Sequence, residues 1–145
     1  MQNTYSIHPE FSLLCKRLSG HVTHEQLTEL GQRAFSDARY EKSMRVFEDL
    51  RNLETVDFDY NRVRSLGQSV AKRFTGYSVV IRTAHYAPGD LAFGIARMFQ
   101  TILSDSQNLD IGVFRDFDEA VDFLGLPEEA RAMLRTGEPE MAGFF

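Results

Sequence analysis

The run Val46-Phe-Glu-Asp-Leu-Arg-Asn-Leu-Glu-Thr-Val-Asp-Phe-Asp-Tyr60 leads straight into a helical pattern over 60–74, and it constrains this chain more than any other segment. It reads as a buried strand, a polar loop, a cap at Asp59 and the start of a helix. Open α/β sheets place their working surfaces in loops of this kind, beyond the carboxyl ends of strands. The loop holds no nucleophile–base pair and no cluster of metal ligands. It therefore speaks for a fold more clearly than for an activity.

The same alternation recurs along the chain. Tyr5–His8 and Phe11–Leu18 read as two strands joined at Pro9-Glu10, a connection too short for anything but antiparallel neighbours. Leu14 and Leu18 share one face of the second strand, with Phe11, Leu13 and Cys15 on the other, so both faces should be covered. Gly20 is expected to end that strand. Thr23 and Gln26 have capping-box spacing, and Leu27, Leu30, Ala34, Phe35 and Ala38 recur at helical intervals, which predicts a helix over 24–38.

Three strand–helix units follow. Met44–Leu50 leads to the Asp59-capped helix, whose inward stripe is Val63, Leu66, Val70 and Phe74. Tyr77–Thr83 carries Val79-Val80-Ile81, the mark of a central strand. The loop Ala84–Gly89 then leads to a helix over Leu91–Leu103 with Asp90 as its cap. Asp110–Arg115 is the last strand, followed by a helix that Asp116 and Glu119 start and Gly125 stops. The expected fold is α/β: a mixed, mostly parallel five-stranded sheet with an N-terminal antiparallel hairpin and about four helices. One domain should span residues 1–126, with a short helix over about 128–135 and a loosely ordered tail ending in Phe144-Phe145 making up 127–145.

At 145 residues the chain is long enough to bury a core without metal or disulfide support. A net charge of −5 argues against non-specific binding to nucleic acid or anionic headgroups. Cys15 is the single cysteine, the first residues lack a secretory pattern and no apolar run reaches membrane-spanning length. A cytoplasmic protein is expected.

Asp49-Leu50-Arg51, the segment Asp90-Leu-Ala-Phe-Gly-Ile-Ala-Arg-Met-Phe-Gln100 and the closing Val113-Phe-Arg-Asp-Phe-Asp-Glu-Ala-Val-Asp-Phe-Leu124 come in an order that resembles the STAS fold. Sulfate-transporter cytoplasmic domains and bacterial anti-sigma-factor antagonists share that fold. The closer likeness, over about residues 5–125, is to the SpoIIAA-like family. The resemblance implies two roles. Antagonists of this kind are switched by phosphate on a serine just after the aspartate that starts the second helix; the matching positions here are Asp57-Phe58, and phenylalanine cannot accept phosphate. SpoIIAA-like domains are also similar to lipid carriers, which implies an apolar ligand.

Several groups are candidates for function. Asp49, Asp57 and Asp59 could converge on a cation or an acid–base site, or simply cap a helix and pair with Arg51. His21 and His24 straddle the Thr23 cap and should point apart, so no metal site is assigned. His85 and Tyr86 are placed in the loop after the central strand, beside Asp57 and Phe58, as a ligand site. The Leu91–Leu103 helix has an unusually wide apolar arc, with Phe93 outside it next to Arg97; that aromatic is either incidental or faces a partner. Two readings result. In the first, a non-enzymatic module, dimeric with itself or bound to a protein partner, presents Asp57, Phe58, Asp59, His85, Tyr86, Asp90, Phe93, Arg97 and Met98. In the second, a small carrier holds a lipid or other apolar molecule among Phe58, Tyr86, Phe93, Met98 and Phe99. No catalytic residue and no cofactor are assigned, since no nucleophile–base–orienter set is present.

Overall fold

Residues 3–106 and 108–137 are described by the computed structural model of the chain. Strand β1 (Asn3–His8) turns through Pro9–Phe11 into β2 (Leu13–Val22), and the two pair antiparallel with Tyr5 opposite Lys16. Helix α1 (His24–Ser36), β3 (Arg45–Val56), α2 (Tyr60–Arg73), β4 (Ile81–Tyr86), α3 (Asp90–Ile102) and β5 (Leu109–Phe114) follow, with α4 (Phe117–Leu124) and α5 (Glu128–Arg135) closing the described chain. The strands lie in the order β1-β2-β3-β4-β5, and β2 through β5 are parallel. Each parallel crossover moves one strand in the same direction. Right-handed connections therefore place α1, α2 and α3 on one face of the sheet. On the opposite face α4 and α5 cover Leu13, Cys15, Phe47 and Ala84.

Local chemistry sets the helix starts. Thr23 accepts from the Gln26 amide while the Gln26 side chain accepts from the Thr23 amide, a complete capping box. Asp59 accepts from the Arg62 amide at 3.1 Å and Asp116 from the Glu119 amide at 2.9 Å. Gly125 stops α4 in the left-handed region at φ 65°.

Strand extents depart most from expectation in β2, β3 and β4, and Phe11, expected in β2, lies in the turn before it. β2 runs through Gly20 to Val22; Gly20, at φ 68°, sits where the β2–β3 register shifts and lets the strand bend without ending it. β3 continues past Leu50 to Val56, so the expected polar loop is strand, paired with the end of β2 from Ser19–Asn52 to Val22–Val56. β4 starts at Ile81 and ends at Tyr86. Val79 and Val80 precede it and are exposed by 39% and 60%, so the apolar triplet does not make a central strand. Pairing decides here: β4 begins where β5 supplies a partner, at Ile81 opposite Leu109. Gly89 rather than Asp90 is the N-cap of α3; Asp90 is its exposed first residue, paired with Arg115 at 2.9 Å. Residues 138–145, including Phe144-Phe145, lie outside the described residues.

Asp49-Leu50-Arg51 lies within β3 and has a structural task. Asp49 is buried and faces both Arg17 (3.6 Å) and Arg51 (3.0 Å). Arg51 lies over the rings of Tyr86 and Phe117 and donates to the Leu134 and Arg135 carbonyls, both at 2.7 Å, so it holds the C-terminus of α5.

On the other face α2 packs on α3 through Gly67, where an added Cβ would come within 2.6 Å of Ile102 Cγ2. Gly67→Val is expected to destabilise the fold by about 1–3 kcal/mol through overpacking. Combined with Ile102→Ala the loss should fall short of the sum of the two single changes by about 1 kcal/mol, measured by urea unfolding.

Candidate functional site

Between the sheet and α1–α3 lies a cavity of about 230 Å³. Apolar side chains make most of its wall, among them Leu18, Val46, Leu50, Phe58, Ile95 and Phe99. Helix α2 packs on α3 and meets α1 at its C-terminal end, where Arg73 and Phe74 contact the Phe35 ring. The lining residues Gln32 of α1 and Ser69 and Arg73 of α2 are exposed, so the mouth is the gap between these two helices.

The floor of the cavity is not apolar. Lys16 is the register partner of Glu48, and Glu48 of His85. The three side chains therefore form one lateral row across β2, β3 and β4, flanked by the apolar pair Leu14–Val46 on one side and by Leu18 and Leu50 on the other. Lys16 Nζ and Glu48 Oε1 are 2.6 Å apart with side chains only 12% and 10% exposed, and the ammonium also lies 5.1 Å from the Phe35 ring centroid. His85 is enclosed by the fold, and the accessible surface it retains opens into the cavity. Its Nδ1 is buried without a hydrogen-bond partner, as is Oγ1 of Thr28 in the α1 wall. Burial holds the imidazole below its ordinary value; Glu48 opposes that shift and Lys16 adds to it. The ring is neutral near pH 7.

The residues singled out from sequence divide among several places. Phe58 and His85 line the cavity, as does Phe99. Tyr86 does not: it follows His85 in a strand, so it points to the opposite face, against Phe47, Phe117 and Arg51. Asp57 is exposed at the end of β3 and accepts from the His24 amide at 3.0 Å, which ties β3 to the positive end of α1. Asp59 is occupied as the α2 cap. Asp49, Asp57 and Asp59 do not converge, and no group of three potential metal ligands occurs among the described residues. Phe93 is half-buried beside the Ala87–Ala92–Ala96 cluster with the Arg115 guanidinium 4.3 Å above its ring, so it is not the bare aromatic expected. Arg97 is exposed and Met98 half-buried, and neither lines the cavity. Cys15 is buried, its thiol pushed up to about 12 chiefly by desolvation, and is unreactive.

Lys16, Glu48 and Thr28 were not singled out. Lys16 lies between Leu14 and Leu18, and Glu48 between Val46 and Leu50, on a strand face read as covered. A charge at the centre of an apolar alternation was the available signal.

An uncharacterised protein of the DUF3478 family with a SpoIIAA-like fold, from Shewanella loihica PV-4, superposes on this chain with a TM-score of 0.51. The match covers 84% of this chain and 91% of that one at 19% identity. No protein-family profile and no curated protein matches the sequence. The architecture is a SpoIIAA-like fold, a five-stranded mixed sheet as the sequence implied. Among the described residues no helix is long and apolar enough to cross a membrane.

The buried pair makes a sharp prediction. Lys16→Met strands the Glu48 carboxylate and should cost about 3–5 kcal/mol, whereas Lys16→Met with Glu48→Leu should recover most of that loss in chemical denaturation. A second prediction concerns pH. The imidazole is depressed in the folded state, so its contribution is complete above the ordinary histidine value of 6.5 and is lost as pH falls below it. Stability measured between pH 7 and 5 should fall more steeply in the native sequence than in His85→Phe.

Proposed function

We propose that this protein is a non-enzymatic binding module that holds a small, mostly apolar molecule in the cavity between its sheet and helices α1–α3. The observation that carries this reading is the 230 Å³ space with apolar walls, reached between α1 and α2 and floored by a polar row. Enclosed, largely apolar pockets with a few placed polar groups are the usual form of small-molecule sites. Phe58 adds support. At the position where the resemblance implies a modifiable serine, its ring is 7% exposed and forms cavity wall. It also precedes the Asp59 cap and stands at hydrophobic-staple spacing from the buried Val63. The position serves packing and ligand contact in place of a phosphate switch.

Binding to a protein partner, or to a second copy, has a narrower basis. Asp57, Asp59, Asp90 and Phe93 are each engaged within the fold, by the His24 amide, the Arg62 amide, Arg115 and the Arg115 guanidinium face respectively. Tyr60 and Leu91, with Val79 and Val80 before β4, remain as exposed apolar side chains for such a contact.

Gly31 provides the test. It lines the cavity from α1, and a Cβ there would meet nothing within 4 Å. Gly31→Phe should fill the space while leaving the helical circular dichroism intact. Native mass spectrometry of freshly purified protein is expected to show a small apolar adduct, absent in Gly31→Phe. An apolar probe such as 4-ethyltoluene should bind the native sequence at least tenfold more tightly than the variant. Equal binding by both, with no adduct on either, would overturn the reading.

A further inference from the structure

The cavity's dimensions and charges narrow the ligand that the preceding reading requires. Size comes first. An engineered apolar cavity of about 150 Å³ accommodates benzene, so 230 Å³ suits about nine or ten non-hydrogen atoms. That is one ring with a short substituent or two small fused rings, well short of a long acyl chain.

Charge comes next. Lys16 and Glu48 already neutralise each other at 2.6 Å. A ligand carboxylate arriving beside them would set two anions against one ammonium, and a ligand ammonium would set two cations against one carboxylate. Either leaves a charge unpaired away from water, the costly case. Arg73 adds a cation at the mouth, but it is exposed and already lies 5.1 Å from the Phe35 ring centroid, so its pull on an anion is weak.

Hydrogen bonding completes the description. Buried polar atoms are almost always partnered, yet His85 Nδ1 and Thr28 Oγ1, on two cavity-lining residues, are not; neither atom has accessible surface, so each meets an occupant only by a turn of its side chain. Between them an imidazole and a hydroxyl can donate and accept, which matches the hydroxyl of an alcohol or phenol better than an ion or a bare hydrocarbon.

We propose that the cavity takes a neutral, compact molecule of about nine or ten non-hydrogen atoms, apolar except for one hydroxyl-type end that His85 binds at the polar row. The inference rests on the binding reading above. His85 supplies the selection for the polar end, and the apolar wall supplies the rest of the affinity.

Four near-isosteric probes separate the possibilities: 4-ethylphenol, 4-ethyltoluene, 4-methylbenzoate and 4-methylbenzylammonium, measured by equilibrium dialysis against the intact chain at pH 7.5. The phenol should bind roughly tenfold more tightly than the hydrocarbon, the worth of about one net hydrogen bond. Both ions should bind at least tenfold more weakly than the phenol. In His85→Phe the phenol should fall to the level of the hydrocarbon, while hydrocarbon binding changes less than about threefold. In His85→Gln, which keeps a hydrogen-bonding group, part of the preference should return. Hydrocarbon binding equal to phenol binding, or benzoate binding tightest, would overturn this assignment and leave the binding reading standing. If none of the four binds the native sequence and Gly31→Phe changes nothing, the binding reading itself fails and this inference with it. Should either His85 variant fail to fold, the ranking of the four probes on the native sequence decides alone.

Discussion

The handedness of three successive crossovers is the constraint on which the rest of this structure depends. Because β2, β3, β4 and β5 are parallel and lie in chain order, each right-handed connection must return over the same face. Helices α1, α2 and α3 have no choice of side. The other face, carrying Leu13, Cys15, Phe47 and Ala84, would then be bare. Only the chain after β5 is left to cover it. The short helices α4 and α5 do so, and Arg51 fixes the far end of that cover by holding the last carbonyls of α5. The Asp49-Leu50-Arg51 motif is thus a clasp between sheet and lid, on the face away from the cavity.

The crowded face holds the cavity. Helix α2 is drawn close to α3 by Gly67, whose missing side chain is occupied by Ile102. The cavity lies over β2 and β3, beside this packed pair of helices. Lys16 and Glu48 lie on its floor. A buried ion pair is weak as a source of stability, because the desolvation of both partners offsets most of their attraction. A hydrophobic pair of similar volume at these register positions would hold the sheet as well. What the ion pair and His85 add is a row of polar groups without net charge on the floor of a mostly apolar cavity.

How much of this could be read in the sequence depended on how local the determining interactions are. The caps at Thr23, Asp59 and Asp116 and the stop at Gly125 need only residues within one helical turn, and they stand where the sequence puts them. Strand limits depend on partners far along the chain. Asn52 to Val56 became strand because the end of β2 was there to pair with it, and Val79-Val80 stayed outside because β5 starts opposite Ile81. That one boundary carried a functional error. A β4 that ends at Thr83 puts His85 and Tyr86 in one loop; in the strand that forms, period two sends them to opposite faces, His85 to the cavity and Tyr86 to the clasp. The resemblance to the SpoIIAA-like fold supplied the sheet and the role of Phe58 as a departure from a serine. It had nothing to say about Lys16 and Glu48, which are legible only as charges set within apolar alternation.

An apolar void has a thermodynamic consequence of its own. The apolar side chains that wall the cavity lack, on that side, the contacts that a close-packed interior supplies. Water entering past Gln32, Ser69 and Arg73 can serve the polar row but recovers little along Leu18, Leu50, Ile95 and Phe99, since these walls offer it no hydrogen bonds. Gly31 borders this space from α1, and a Cβ there would meet nothing within 4 Å. Helix propensity alone disfavours glycine there by about 1 kcal/mol relative to alanine. A glycine in a helix interior, facing the cavity with open space around its missing side chain, fits the binding reading proposed above.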